Sequence, residues 1–163
     1  MDDREVVARQ LGREPRAFRA VAARCPWGLP AVTEQVPVDV DGRPFPTTFY
    51  LTCRHLVAAV SRLEAAGGVG RWSEAAAHDP ALRESLEGAT ELQWRIRREL
   101  AGDAAVPADV LDLGIAGSRT TGSLKCLHAH VAFALAQPGY LLGERILGEV
   151  EPRWPAPSCC SLE

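Results

Sequence analysis

Apolar side chains recur every three or four positions in several stretches of this 163-residue chain, which is the spacing of one face of an α-helix. The spacing, together with Asp-Pro and glycine signals at the ends of the stretches, predicts six helices. They cover residues 2–11, Pro15 to Cys25, 54–66, Asp79–Pro80 to about Leu100, 123–136 and 140–150. A short turn is expected around Trp72 and Ser73, and a glycine-rich loop over 101–122.

A different pattern, alternating valines, predicts one β-hairpin between the second and third helices. AVTEQVPVDV at 31–40 has the period of a half-buried strand, and TTFYLTC at 47–53 is rich in aromatic and β-branched residues. Asp41-Gly42 between them is a strong turn signal. We therefore expect the two segments to pair as antiparallel strands.

The combined pattern predicts an α+β fold, in which a small antiparallel hairpin is packed by five or six helices around one core. The length suits a single domain, placed at residues 1–151. Residues 152–163 are a tail that contains prolines and cysteines and is expected to fold back on the domain, with Trp154 docking on its body.

Composition narrows the class of protein. Hydrophobic residues make up 47% of the chain. The net charge of -3 argues against a general nucleic-acid-binding protein, which would usually be basic. No apolar run is long enough to span a bilayer, and the acidic N-terminus does not resemble a signal peptide. We expect a cytoplasmic protein, in which five cysteines are more readily interpreted as ligands, reactive groups or core residues than as disulfides.

The segment LKCLHAHVAFALA, residues 124–136, places a cysteine and two histidines on an otherwise apolar helix. Cys126 and His130 are four positions apart and are expected to share a face, whereas His128, about 200° around the helix from Cys126, is expected to point elsewhere. Burying such groups without partners is costly. They therefore indicate a metal site, a catalytic site or a satisfied core histidine.

The other thiols come from distant segments, each at the boundary of a predicted element or in the tail. They support a shared metal site whose candidate ligands are Cys25, Cys53, Cys126, one of Cys159 and Cys160, and His130. The chain lacks the close C-x-x-C pairs of common zinc sites, so the cysteines can equally be small core residues.

Two alternatives belong to other functional classes. One is an enzyme that uses Cys53 or Cys126 as a nucleophile and His128 or His130 as its base. The other is a metal-free interaction module that docks through the helix at 80–100 or through the tail. Residue spacing does not decide between them.

Three stretches together resemble a known family: RAVAARCPWGLP, PFPTTFYLTCRHLVAAVSRLEAAG, and GIAG followed by LKCLHAHVAFALA. The chain is similar, from about Glu14 to the tail, to the Domain of Unknown Function family 501, which is common in actinobacteria. The resemblance implies recurring cysteines at the positions of Cys25, Cys53 and Cys126 and near the C-terminus. It implies no reaction, and its usual gene neighbours suggest a partner in cell division or polyphosphate metabolism.

Two departures from the family pattern affect the ligand set. Arg54 follows Cys53 where a proline is common, and the double cysteine leaves both Cys159 and Cys160 as candidates for the last ligand. Ligands that come singly from separate elements slightly favour a [4Fe–4S] cluster, with zinc close behind. The sequence thus favours an accessory or binding protein with a cysteine-ligated metal centre, and it does not determine the substrate, reaction or oligomeric state.

Overall fold

The computed structural model describes residues 1–120, 122, 124–155 and 157–160. In these residues a three-stranded antiparallel sheet is packed by seven α-helices around a single core, which confirms the α+β class. In chain order the elements are α1 (Asp3–Leu11), β1 (Phe18–Arg24), β2 (Pro30–Gln35), β3 (Phe49–Leu51), α2 (Arg54–Ala65), α3 (Gly68–His78), α4 (Pro80–Ala101), α5 (Ala108–Leu111), a 3₁₀ turn (Ile115–Gly117), α6 (Leu127–Ala136) and α7 (Leu141–Leu147).

The sheet has the order β1-β2-β3, with β2 in the centre. Val32 of β2 pairs with Leu51 of β3, so the predicted hairpin is confirmed. At the turn between the two strands, the side chain of Asp39 accepts hydrogen bonds from the backbone N–H groups of Asp41 and Arg43. A local aspartate bond of this kind stabilises the tight turn that the Asp-Gly signal indicated.

The prediction of a helix from Pro15 to Cys25 is wrong, because Phe18–Arg24 forms strand β1. Its neighbour β2 is largely buried, and an edge of β2 without a partner strand would leave backbone N–H and C=O groups unpaired. Pairing with β1 satisfies these groups. A helix of about three turns, by contrast, is only marginally stable in water without extensive packing.

The expected turn at Trp72 and Ser73 is also wrong, because α3 runs through both residues. The chain reverses earlier, at Gly67, whose φ of 84° is a left-handed conformation that favours glycine. The next residue, Gly68, packs too closely for a side chain. A Cβ there would lie 2.6 Å from the Leu63 carbonyl oxygen and 2.9 Å from Leu127 Cδ1. The glycine pair therefore makes a sharp joint between α2 and α3.

Helix α6 lies at the centre of the fold. Every residue from Ala129 to Ala134 is buried, which is more than one full turn, so all sides of the helix are covered. It contacts α2, α7, the 3₁₀ turn and the strands. Gly143 of α7 makes the closest approach, where a Cβ would lie 2.6 Å from the His130 carbonyl oxygen. No helix in the described part of the chain has the length and apolar character needed to cross a bilayer.

Arg97 of α4 is fully buried and binds backbone oxygens instead of a carboxylate. Its guanidinium donates to the carbonyl oxygens of Val110 at 2.7 Å and Phe45 at 3.1 Å, and lies 3.4 Å from that of Pro46. Burial lowers the pKa of Arg97 to about 10, which leaves it charged at neutral pH. Arg97 thus anchors the segment that leads into β3.

We expect Arg97→Met to lower the free energy of unfolding by at least about 3 kcal/mol, because several buried carbonyl oxygens lose their donor. Urea denaturation measures this change. Arg95→Met on an exposed position of the same helix is the control and should change stability by less than about 0.5 kcal/mol. Equal effects of the two substitutions would contradict the anchoring role.

Candidate functional site

Two thiols lie at one end of the sheet because its strands are antiparallel. Cys25 directly follows β1, and its N–H donates to the Leu29 carbonyl at 2.9 Å across the turn into β2. Cys53 closely follows β3, and its N–H donates to the carbonyl of Ala31 in β2 at 3.2 Å. Cys25 and Cys53 therefore lie at the same end of the sheet, where β1 and β3 end and β2 begins.

The tail brings two more thiols to this edge. Cys159 Sγ lies 3.6 Å from Cys25 Sγ, and Cys160 Sγ lies 3.9 Å from Cys53 Sγ. Trp27 fastens the same segment, since its Nε1–H donates to the Pro157 carbonyl at 3.1 Å. We call Cys25, Cys53, Cys159 and Cys160 the thiol group. It consists of two close pairs, and no three sulfur atoms in the described residues lie within 4.8 Å of one another.

Burial keeps two of these thiols protonated. It raises the pKa of Cys53 to about 12, with the neighbouring Cys160 adding to the shift. Burial also raises the pKa of Cys25. Because the thiolate is the reactive form, these surroundings argue against Cys53 as a nucleophile at neutral pH.

Cys126 does not join the thiol pairs in a compact group, and its predicted orientation is wrong. Helix α6 begins at Leu127, so Cys126 is its N-cap residue, with extended backbone angles of φ -156° and ψ 121°. The helical spacing that paired Cys126 with His130 therefore does not apply. Instead, Cys126 Sγ lies 3.6 Å from Nδ1 of His128, the residue expected to point away.

His130 is a core residue, 1% exposed, whose Nδ1 lies 2.8 Å from the Tyr140 hydroxyl. Its Nε2 has no protein partner among the described residues and lines a cavity of about 60 Å³ that Trp94 also lines. Complete burial lowers the pKa of His130 to about 3, so the imidazole is neutral. His130 does not belong to the group of close ligand-type atoms that contains Cys126.

Glu64 completes a second group of polar side chains, at the start of α6. Its Oε1 accepts from the Leu127 N–H at 2.8 Å and lies 3.1 Å from His128 Nδ1. The other ring nitrogen of His128 lies 3.1 Å from the Val57 carbonyl oxygen. The ligand-type atoms of Glu64, Cys126 and His128 all lie within 4.8 Å of one another, and we call these three residues the α6 triad.

The α6 triad is electrostatically coupled. The contact with Cys126 raises the pKa of His128 to about 9, and the Val57 carbonyl and Glu64 act in the same direction against the opposing effect of burial. His128 is thus an imidazolium at neutral pH in the metal-free chain. Glu64 was not predictable as a site residue, because 62 positions separate it from Cys126 and no local pattern links the two.

A cavity of about 310 Å³ opens beside the α6 triad. Cys126 and His128 both line it, at one side of a mostly apolar wall. The remaining lining residues are Thr47, Phe49, Tyr50, Leu51, Val57, Ala116 and Ala129. Cavities of this size and apolar character are typical of small-molecule sites.

A family model described as a protein of unknown function (DUF501) matches residues 21–148, most of the chain. The chain belongs to the DUF501 family. Neither a curated protein nor a solved structure matches it. The part matched to DUF501 includes the whole α6 triad, Cys25 and Cys53, and it ends before the two tail cysteines.

The burial of His130 predicts acid sensitivity. Its folded pKa of about 3 lies below the ordinary value of 6.5, so the unfolded chain binds more protons and stability is lost as the pH falls from about 6.5 toward 3. We expect His130 alone to lower the free energy of unfolding by about 2 kcal/mol between pH 7 and pH 5.

Urea denaturation at the two pH values, on wild type and His130→Gln, measures this contribution. The variant should lose most of the pH dependence that His130 supplies. His78→Gln, at an exposed position at the end of α3, should retain it. Identical pH dependence in wild type and His130→Gln would show that His130 is not buried in the neutral form.

Proposed function

We propose that this DUF501 chain is a metal-binding accessory protein whose thiol group holds one Zn²⁺ ion that fastens the tail to the sheet. The observation that carries the proposal is the contact of Cys25 with Cys159 and of Cys53 with Cys160, at 3.6 and 3.9 Å. The residues of each pair are more than 100 positions apart in the chain, so local sequence spacing does not explain either contact.

The two distances favour a single ion. Zinc–sulfur bonds of about 2.3 Å in a tetrahedron place neighbouring sulfur atoms about 3.8 Å apart, close to both measured separations. In a [4Fe–4S] cluster each thiolate binds a different iron, so its sulfur atoms lie farther apart than two that share one ion. The geometry therefore favours zinc over the cluster that the sequence slightly favoured.

Sharing one ion requires the two pairs to move together, since no three of their sulfur atoms in the described residues lie within 4.8 Å of one another. Cys159 and Cys160 are consecutive, so their Cα atoms lie about 3.8 Å apart and both pairs meet at one dipeptide. The proposal therefore requires rotation about the Cα–Cβ bonds, between ordinary rotamers, to bring the four sulfur atoms to a common centre. Binding replaces the thiol protons, since zinc is held by thiolates.

A four-thiolate site of this kind is closed and therefore structural. With all four positions occupied by protein, the ion has none left for a substrate, and its binding energy contributes to folding. This favours an accessory or binding role for the thiol group over a catalytic one. Cys126 and His130 are not required as ligands.

Elemental analysis of anaerobically purified protein tests the proposal. We expect Cys53→Ser and the double variant Cys159→Ser/Cys160→Ser each to contain one equivalent of zinc less than wild type and to melt at a lower temperature. Serine keeps the size of the side chain but is a poor zinc ligand at neutral pH. Thr52→Ser, next to Cys53 and in neither proposed ligand set, is the matched control and should keep the zinc content of wild type.

Two results would overturn the assignment. Iron and acid-labile sulfide in equal amounts, in brown protein, would replace zinc with an iron–sulfur cluster. Metal content that is unchanged in Cys53→Ser and in the tail double variant would exclude the thiol group as a metal site.

A further inference from the structure

We infer that Glu64, Cys126 and His128 bind a second divalent cation, Zn²⁺, whose remaining coordination position faces the apolar cavity. This inference does not depend on the thiol group, because the two sets of ligands have no residue in common. The inferred ligand of this site is a small molecule that has a metal-binding head group and an apolar chain.

The three donor atoms lie within 4.8 Å of one another. Cys126 Sγ and His128 Nδ1 are 3.6 Å apart, and His128 Nδ1 and Glu64 Oε1 are 3.1 Å apart. Ordinary zinc bond lengths in a tetrahedron require about 3.6 Å between sulfur and nitrogen and about 3.3 Å between nitrogen and oxygen. Small adjustments therefore suffice to admit the ion.

The orientation of His128 distinguishes a metal site from a nucleophile with its base. In a catalytic triad the nucleophile and the carboxylate contact opposite nitrogens of the imidazole. Here Cys126 and Glu64 both approach Nδ1, while Nε2 lies 3.1 Å from the Val57 carbonyl oxygen. A backbone carbonyl that holds the second nitrogen is the usual outer partner of a metal-binding histidine.

The charges of the α6 triad also suit a divalent cation. A thiolate, a carboxylate and a neutral imidazole carry a total charge of -2, which Zn²⁺ neutralises in a partly buried location. Among the described residues, the titratable Tyr50 lines the cavity and the exposed Lys125 precedes Cys126. Neither of them is needed as a ligand.

The backbone supports each ligand independently of the ion. Glu64 is in the last turn of α2 and caps α6 through the Leu127 N–H. Cys126 is held outside the helix as its N-cap, and His128 is in the first turn. The packing of α2 against α6 therefore assembles all three ligands before any ion binds.

The cavity indicates what occupies the open position. Zinc sites that act on substrates keep three protein ligands and leave the fourth position to water or substrate. Two of the three ligands line the cavity, so the accessible side of the ion faces it. At about 30 Å³ per group, a volume of about 310 Å³ admits roughly ten non-hydrogen atoms. A short apolar molecule with an oxygen or sulfur head group fits this description.

Zinc stoichiometry of the full chain is the first test. We expect His128→Asn and Glu64→Gln each to lose one equivalent of zinc that Cys53→Ser retains. Glutamine preserves the side-chain oxygen that caps α6, so Glu64→Gln separates ligation from folding, and circular dichroism verifies that the variants are folded. Ser61→Ala is the matched control, because Ser61 Oγ contacts His128 Nε2 at 3.1 Å but is not a ligand.

Cobalt substitution is the second test, with hexanohydroxamate as the probe of the open position. We expect the probe to change the visible absorption of the cobalt protein, and expect no such change in His128→Asn. Bound zinc should also slow the alkylation of Cys126 by iodoacetamide at least tenfold.

Three results would overturn the inference. They are a zinc content that His128→Asn and Glu64→Gln leave unchanged, an alkylation rate of Cys126 that is the same with and without zinc, and a cobalt spectrum that does not respond to hexanohydroxamate. Rapid alkylation of Cys126 that zinc does not slow would instead favour a nucleophilic thiol.

Discussion

The burial of α6 on every side is the constraint on which the rest of the structure depends. A helix inside a core must satisfy its first N–H groups and its polar side chains without water. Glu64 accepts from the Leu127 N–H, the Val57 carbonyl lies beside His128, and the Tyr140 hydroxyl contacts His130. These contacts fasten α2 and the start of α7 to α6. The same requirement assembles the α6 triad beside the cavity.

Backbone groups, and no ion pair, hold Arg97, one of several buried polar residues in the described part of the chain. Arg97 donates to carbonyl oxygens of the segment before β3 and of α5, so a charged side chain inside the core joins both segments to α4. Unpaired carbonyls in the core would cost more free energy than a surface ion pair supplies. Arg97 thereby stabilises the approach to β3, whose residues line the cavity beside the α6 triad.

The two proposed metal sites have complementary roles. The thiol group lies where the strands end and the tail returns, and a closed four-thiolate ion there would act as a cross-link. Two residues of the α6 triad line the cavity, and an ion held there by three protein ligands would have one coordination position open. The difference follows from the ligands, since four protein ligands exclude substrate and three admit it. Both proposed sites fit an accessory protein that one ion would stabilise and that would bind a small molecule at the other.

Several elements were predictable because their signals are local. Asp79-Pro80 begins α4, the stripe from Leu56 to Leu63 predicts α2, and Asp41-Gly42 marks the turn between the strands. The start of α6 was not predictable in this way. An apolar segment is compatible with helix from residue 123 onward, and only the contact of Glu64 with Leu127 establishes that Cys126 lies outside the helix. Helix α6 begins four residues later than predicted, at Leu127. His128, and not His130, therefore lies beside Cys126.

The sequence by itself determined the α+β class, most helices and the hairpin, because caps, turns and hydrophobic period act over a few residues. Only the tertiary structure decided that Phe18–Arg24 is a strand, because its backbone groups pair with β2. It also decided which histidine meets Cys126 and brought Glu64 to both of them. These outcomes depend on contacts between segments up to about 60 residues apart, where the need to satisfy buried polar groups outweighs local preference.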